Sequence, residues 1–476
     1  MPSTSHLGTR IRSLRRQQGL SQKQMAERLD ISPSYLNLIE HGKRPLSAPV
    51  LIRLAQGFSI DLGTFAKDDG QVAAELTEVF ADPVFDDLGL TNTDVRELVA
   101  SSPAVAEAVR ALYRAYRESR DAVVTLGERV QGESGGADLA TMPTEEVHDF
   151  IQRNDNHFPA LEEAAERLRR DARIKDEDRY TRMADYLENG LGVRIQWEPV
   201  EASQNIVRRY DPQRRVLHLS QLLAPRSRHF QLAHQLGLLV AGKTLDELTD
   251  DRRLSSDEAR SLTRVTLANY FAAAVLMPYA DIHAEAERRR YDIELLGHRF
   301  RTSFEQVCHR LCTLRRPGAE GVPFHMIRVD IAGNISKRFS GSGIRFARYS
   351  GACPRWNVHA AFLTPGQIRL QLSIMPEGPA YFCMARTVTK SGGGWATPQA
   401  LHAIGLGCDV SHAPRLVYSD GLDLRSLAHA IPVGVTCRLC ERAACPQRAF
   451  PPLSQRLQVD ENVRGVNLYA PVSTGH

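Results

Sequence analysis

The sequence predicts a multidomain α+β chain: an N-terminal all-α domain, a helical arm, an α+β middle domain, and a C-terminal α/β domain carrying a cysteine cluster. Three observations predict it. Leu20 to Pro45 read as two short helices joined by a tight turn, residues 72 to 130 carry a helical apolar stripe, and strand-like alternation begins only near Val193. With 476 residues, 42% of them hydrophobic, the chain is long enough for several compact units and too apolar to be largely disordered. The expected bounds are 1–62, 63–135, 145–315 and 320–476.

In the first unit Ser21 is a natural N-cap, and Met25, Ala26 and Leu29 fall at helical spacing. Asp30-Ile31-Ser32 supplies a turn whose serine caps a second helix, with Pro33 in its first turn. Leu36 and Ile39 anchor that helix, Ser34, Tyr35 and Asn37 face outward, and Gly42 stops it. Leu7, Ile11 and Leu14 form an amphipathic helix before the pair, and Val50 to Ala55 another after it. These features resemble the lambda-repressor-like helix-turn-helix family over about residues 7 to 60. The resemblance implies operator DNA as a partner and places Gln22, Ser32, Ser34, Tyr35 and Asn37 as candidate contacts to phosphates or base edges. A merely solvated polar face is the alternative. Charge favours DNA: residues 1 to 56 hold nine Lys or Arg against three Asp or Glu, a net +6, whereas the whole chain is +4.

No run approaches the roughly 20 apolar residues of a membrane span, and the N-terminus has no apolar signal core, so a soluble cytoplasmic protein without a membrane partner is expected. Its cysteines are then expected reduced. Val95-Leu98-Val99 and Val105-Val109-Leu112-Tyr113-Tyr116 give the arm an apolar stripe suited to connecting or dimerising. Gly132 to Thr144 reads as a flexible link. Beyond it, Val193 to Glu198 alternates like a strand, Ile206 to Tyr210 and Val216 to Leu219 read as a hairpin around Asp211-Pro212, and Phe230 to Val240 reads as a buried helix.

Tyr210 to Ser220, His229 to Leu239 and Leu267 to Pro278 together resemble the ImmA/IrrE zincin-like family. Active members place His-Glu-x-x-His on the first helix, the histidines binding zinc and the glutamate activating water. Here His234 stands alone. Gln235 occupies the glutamate position, Leu238 the second histidine, and Val265, Thr266 and Leu267 stand where a carboxylate ligand is expected. Glutamine takes no proton and leucine cannot ligate, so neither zinc binding nor hydrolysis is expected. An inactive cleft can hold a ligand instead. Phe271, Leu276 and Met277 suit a short acyl chain, or simply a core, and His234 suits a hydrogen-bonded core or pocket position. Arg169, Arg170, Arg208 and Arg209 are candidate partners for the phosphates of a ligand such as coenzyme A, with solvated surface charge as the alternative.

Cys437-Arg-Leu-Cys440-Glu-Arg-Ala-Ala-Cys445-Pro446 puts three cysteines within nine residues. Such thiolates can share one centre, and cysteine followed by proline resembles bacterial ferredoxin loops, although the spacing differs. A tetrahedral zinc site or three core thiols are the competing readings. Cys308, Cys312 and Cys383 read as packing residues.

Phe324 to Phe339, Gly351 to His359, Arg415 to Leu422 and Cys437 to Pro452 resemble the short-chain fatty acyl-CoA regulator family, so the resemblances span nearly the whole chain. They imply a cytoplasmic bacterial transcription factor that senses a propionyl-CoA-like effector, controls short-chain acyl or acetate metabolism and holds a four-iron (4Fe-4S) cluster, and the helical arm suits a homodimer. Its ligands would be Cys437, Cys440 and Cys445, with Cys408 favoured over Cys353 as the fourth because the intervening chain is shorter. A redox sensor controlled by the cluster, and a zincin-like protease of a partner repressor, are the rival functions.

Overall fold

The computed structural model describes residues 11–12, 14–15, 18–41, 43–44, 47–58, 72–130, 143–199, 206–347, 352–390, 399–424, 426–442 and 445–451. Leu7, Gly42, Pro45, the link up to residue 142, Gly351 and Pro452 lie outside them. The chain forms two compact units. One holds residues 1–139, 347–350 and 436–476, the other residues 140–346 and 351–435.

In the first unit, helices Gln22–Arg28, Pro33–Glu40 and Ala48–Phe58 close over Ile11, Met25, Ala26, Leu29, Leu36, Ile39 and Leu54. Ser21 forms a full capping box with Gln24, and Asp30 turns the chain with φ 51°, a left-handed conformation that aspartate tolerates. The arm holds helices Asn92–Ser101 and Pro103–Val130 and a 3-10 turn, Pro83–Leu88. Its core is Leu76, Val79, Val95, Val99, Ala106 and Tyr113, and the Tyr113 hydroxyl donates to Asp82 at 2.8 Å. The predicted stripe is divided: Val105 and Leu112 are exposed, because the short helices packed on the long one cover only one of its sides.

The cysteine segment, expected within the C-terminal domain, folds with the arm. Arg438 donates to the Ala81 carbonyl at 2.9 Å, and the Asn92 amide to Glu441 at 3.0 Å.

In the second unit, β1 (Arg194–Glu198), β2 (Arg208–Asp211) and β3 (Val216–Ser220) form a sheet in the order β1-β3-β2, with the predicted β2-β3 hairpin antiparallel and β1 parallel to β3. Helices Pro159–Asp171, Pro225–Val240, Asp257–Leu276 and Phe304–Leu311 pack into one core. Helix Asp257–Leu276 is buried along its last ten residues except Asn269. Among the described residues no single helix is long and apolar enough to cross a membrane.

The second sheet comprises β4 (His325–Asp330), β5 (Ile335–Ser340), β6 (Arg369–Ile374), β7 (Ala380–Lys390), β8 (Ala400–Asp409) and β9 (Ile431–Pro432), ordered β5-β4-β8-β7-β6-β9. Where an α/β arrangement is expected, all pairs except β6-β9 are antiparallel. The connections after β4 and β6 are too short for a crossover helix, so these strands return as hairpins. Met326, Phe339, Phe382, Met384 and Ile404 join the helical core, while Ile327, Val329, Tyr381, Ala385 and Ala403 form a second core with Trp356 and Val358.

Candidate functional site

The helix-turn-helix face rests on a buried acid. Arg15 forks onto Glu40 at 2.7 and 3.1 Å, and the Gln22 amide donates to the same carboxylate at 2.9 Å. Burial pushes Glu40 upward, but the hydrogen bonds from Arg15 and Gln22 outweigh it and hold the carboxyl below its usual range. Gln22 is thereby fixed at the start of its helix. Ser32 accepts from the Tyr35 amide at 3.1 Å, so its hydroxyl caps the reading helix. Ser34 and Asn37 are exposed, Tyr35 is half-buried, and Arg44 lies over the Tyr35 ring at 5.6 Å. Sequence reasoning missed Arg15 and Glu40, which sit 25 residues apart with no periodic signal to link them.

In the middle domain the remnant of the metal motif is closed by a cation. The Arg208 guanidinium donates to Nδ1 of His234, leaving Nε2 of this neutral imidazole to donate to the Val265 carbonyl. Burial first, and the Arg208 charge second, push His234 down to about 3, while burial brings Arg208 down to about 10. Phe271 is fully buried, and a Cβ on Gly237 would lie 2.7 Å from its ring, so helix and ring fill the space against each other. Arg169 donates to the Val275 carbonyl at 2.8 Å and pairs with Asp176, and Arg209 pairs with Glu198 at 2.9 Å. Arg170 is exposed. Arg208 thus binds His234 on the helix that packs against Phe271, while Arg169 and Arg209 are held by other partners.

A buried ion pair that the sequence did not announce holds this domain together. Arg310 meets Glu162 bidentately at 2.6 and 2.9 Å, and Tyr270 donates to Glu162 at 2.6 Å.

Among the described residues no three His, Cys, Asp or Glu side chains converge as a metal site. Cys437, Cys440 and Cys445 nevertheless share a loop built around one cation. Arg448, 2% exposed, donates to the carbonyls of Cys437 and Cys440 at 2.7 Å each, and to those of Arg442 and Phe450. The Ala449 amide donates to Sγ of Cys437 at 3.4 Å. Three sulfurs on one short loop, gathered by a guanidinium that binds the loop carbonyls, are a soft donor set of the kind that suits a metal or cluster. Cys408 is fully buried in the sheet, where burial raises its thiol well above the usual value. The Cys353 amide donates to the carbonyl of Val435, two residues before Cys437, at 3.0 Å.

Comparison with known proteins agrees with this three-part architecture. Residues 11–65 match a helix-turn-helix, residues 188–312 the IrrE N-terminal-like domain, and residues 313–469 the short-chain fatty acyl coenzyme A regulator C-terminal domain. The chain is 42% identical to the HTH-type transcriptional regulator RamB of Mycobacterium tuberculosis over 470 residues, 98% of this chain and 99% of that one. It belongs to the short-chain fatty acyl coenzyme A regulator family.

This regulator is also 41% identical, over 98% of its length and 99% of the relative's, to a propionyl-CoA carboxylase regulator of Cereibacter sphaeroides. A solved Mycobacterium tuberculosis transcriptional regulator, 42% identical, superposes with a TM-score of 0.66 over 69% of this chain and the whole of that one. The regulator is a helix-turn-helix transcriptional regulator.

Proposed function

We propose that this cytoplasmic regulator binds operator DNA as a homodimer and that a short-chain acyl-CoA of the propionyl type shifts its DNA affinity, controlling genes of short-chain acyl metabolism. The observation that carries the reading is the exposed polar edge of helix Pro33–Glu40, set by the Glu40 clamp, within a chain that matches a propionyl-CoA carboxylase regulator nearly end to end. Ser34, Tyr35 and Asn37 reach bases or phosphates, while Gln22 and Ser32 set the helix ends. The effector acts only if it binds two conformations unequally. The middle domain performs no hydrolysis, because Gln235 and Leu238 replace the catalytic acid and the second ligand, and Arg208 occupies the remaining histidine.

Titrating the full-length protein with acyl-CoAs by calorimetry, then measuring binding to DNA selected from a random pool at fixed salt, tests the reading. Saturating propionyl-CoA is expected to change DNA affinity at least fivefold; an unchanged affinity refutes it.

A second reading makes the cysteine loop an input. It is favoured by the contacts of Arg438 and Glu441 with the arm, which tie the loop to the element joined to the DNA-binding head. Cys437, Cys440 and Cys445 would hold a 4Fe-4S cluster or, alternatively, zinc. Cys408 or Cys353 would supply the fourth thiolate. When bound, a cluster would supply redox sensitivity to the loop. Iron and sulfide analysis after anaerobic purification separates the two metals; about one zinc per chain without iron eliminates the cluster.

A further inference from the structure

The long arm helix, Pro103–Val130, has two apolar faces, and the arm covers only one of them. Ala106, Val109 and Tyr113 pack with Leu76, Val79, Val95 and Val99. On another face stand Val105, Ala108, Leu112 and Ala115, all exposed, Val105 at 51% and Leu112 at 72%. These four are spaced three, four and three residues apart, and the alternation continues along the sequence at Ser119, Ala122 and Leu126. Seven positions spanning three heptads thus keep one strict period of 3.5 residues, apolar everywhere but at Ser119.

That period says what covers the face. A helix lying on its own domain follows a 3.6-residue period, and its apolar stripe drifts about 20° per heptad from a 3.5-residue one. A sustained 3.5-residue seam stays in register only with a second helix wound beside it. The seam also complements itself. With two copies antiparallel about a two-fold axis near Tyr113 and Arg114, Leu112 meets Ala115 of the partner subunit, and the Val105 position falls opposite Ala122 of the partner subunit. A large residue then faces a small one, as interdigitated packing requires. Parallel pairing would instead stack leucine on leucine and alanine on alanine, leaving gaps at the alanine layers. Self-complementarity of this kind is the mark of an isologous interface.

We propose that a second copy of this chain docks on the seam of Val105, Ala108, Leu112 and Ala115, the two arms forming a short antiparallel coiled coil. The proposal rests on the homodimer reading above and names the surface through which the homodimer forms.

The test is sedimentation velocity of the full-length protein over about a hundredfold range of concentration. Leu112→Glu brings two like charges into the seam and is expected to weaken dimerisation about tenfold or more. Because Leu112 is exposed in the single copy, helix content by circular dichroism should not change. Leu112→Met should keep the dimer. A benzophenone amino acid substituted for Val105 should crosslink dimers on irradiation, with the tether mapping to residues 119–126 of the second copy; a tether within 101–109 overturns the antiparallel pairing. If the unaltered protein dimerises and both Leu112→Glu and Ala115→Glu dimerise as tightly, the seam is overturned and the homodimer reading stands. If the unaltered protein is monomeric throughout the range, both fall.

Discussion

The guanidinium of Arg208 donates to Nδ1 of His234, so the histidine surviving from a metal-binding motif is occupied by a cation belonging to the chain itself. An imidazole nitrogen that accepts from arginine has no free lone pair for zinc, and its other nitrogen is committed to the Val265 carbonyl. Arg208→Ala leaves this buried acceptor unpaired. The expected cost is about 1–3 kcal/mol of unfolding free energy, read by urea denaturation, together with a rise in the His234 pKa read by NMR.

Stability should fall with acidity before any carboxylate titrates. His234 and His325 are both held near 3 by burial, against about 6.5 in an unfolded chain. Because the folded values are depressed, the stabilisation is complete above pH 6.5 and is lost as pH falls toward 3. Each histidine contributes a slope of about 1.4 kcal/mol per pH unit in that window. Urea midpoints between pH 7 and 5 check this, and His234→Gln should remove about one histidine's share; an unaltered slope in that variant would count against it.

Breaking the Arg310–Glu162 pair should be costly. Both side chains are essentially inaccessible to water, so Arg310→Met leaves an unpaired buried carboxylate and is expected to lower stability by about 3–5 kcal/mol. Adding Glu162→Leu should recover much of that loss; if the double variant is no more stable than the single one, the cost lies in packing rather than charge.

Glu40→Gln removes the charge gripped by Arg15 and Gln22. DNA affinity is expected to fall at all sequences, with about 1–3 kcal/mol lost from the head's stability. Asn37→Ala should instead leave stability alone and cost about 1–3 kcal/mol at particular base positions. Fluorescence anisotropy over a panel of single-base operator changes separates the two; equal losses at every position for Asn37→Ala would make it a phosphate contact.

The cysteine loop offers an equally direct test. Arg448 satisfies four carbonyls of the loop, so its removal should disorder the loop without unfolding the sheet domain and, where the loop binds the proposed metal, lower its metal content. Metal analysis with thermal unfolding of Arg448→Ala checks this; full metal occupancy would show that the loop holds its shape without the arginine.

Much of this was legible in the amino-acid order because it rests on local rules. Ser21 and Ser32 as caps, Leu36 and Ile39 as anchors, the β2-β3 hairpin and the loss of the zinc motif at Gln235 and Leu238 each depend on neighbours within a few residues. The sequence therefore determined the helix-turn-helix, the absence of a complete His-Glu-x-x-His set and the cysteine spacing. Only the tertiary structure decided which cations belong to which anions: Arg15 with Glu40, Arg310 with Glu162, Arg208 with His234. It also decided that the cysteine loop packs on the arm. Those outcomes follow from desolvation and contacts between residues 25 to more than 300 positions apart, which no local pattern records.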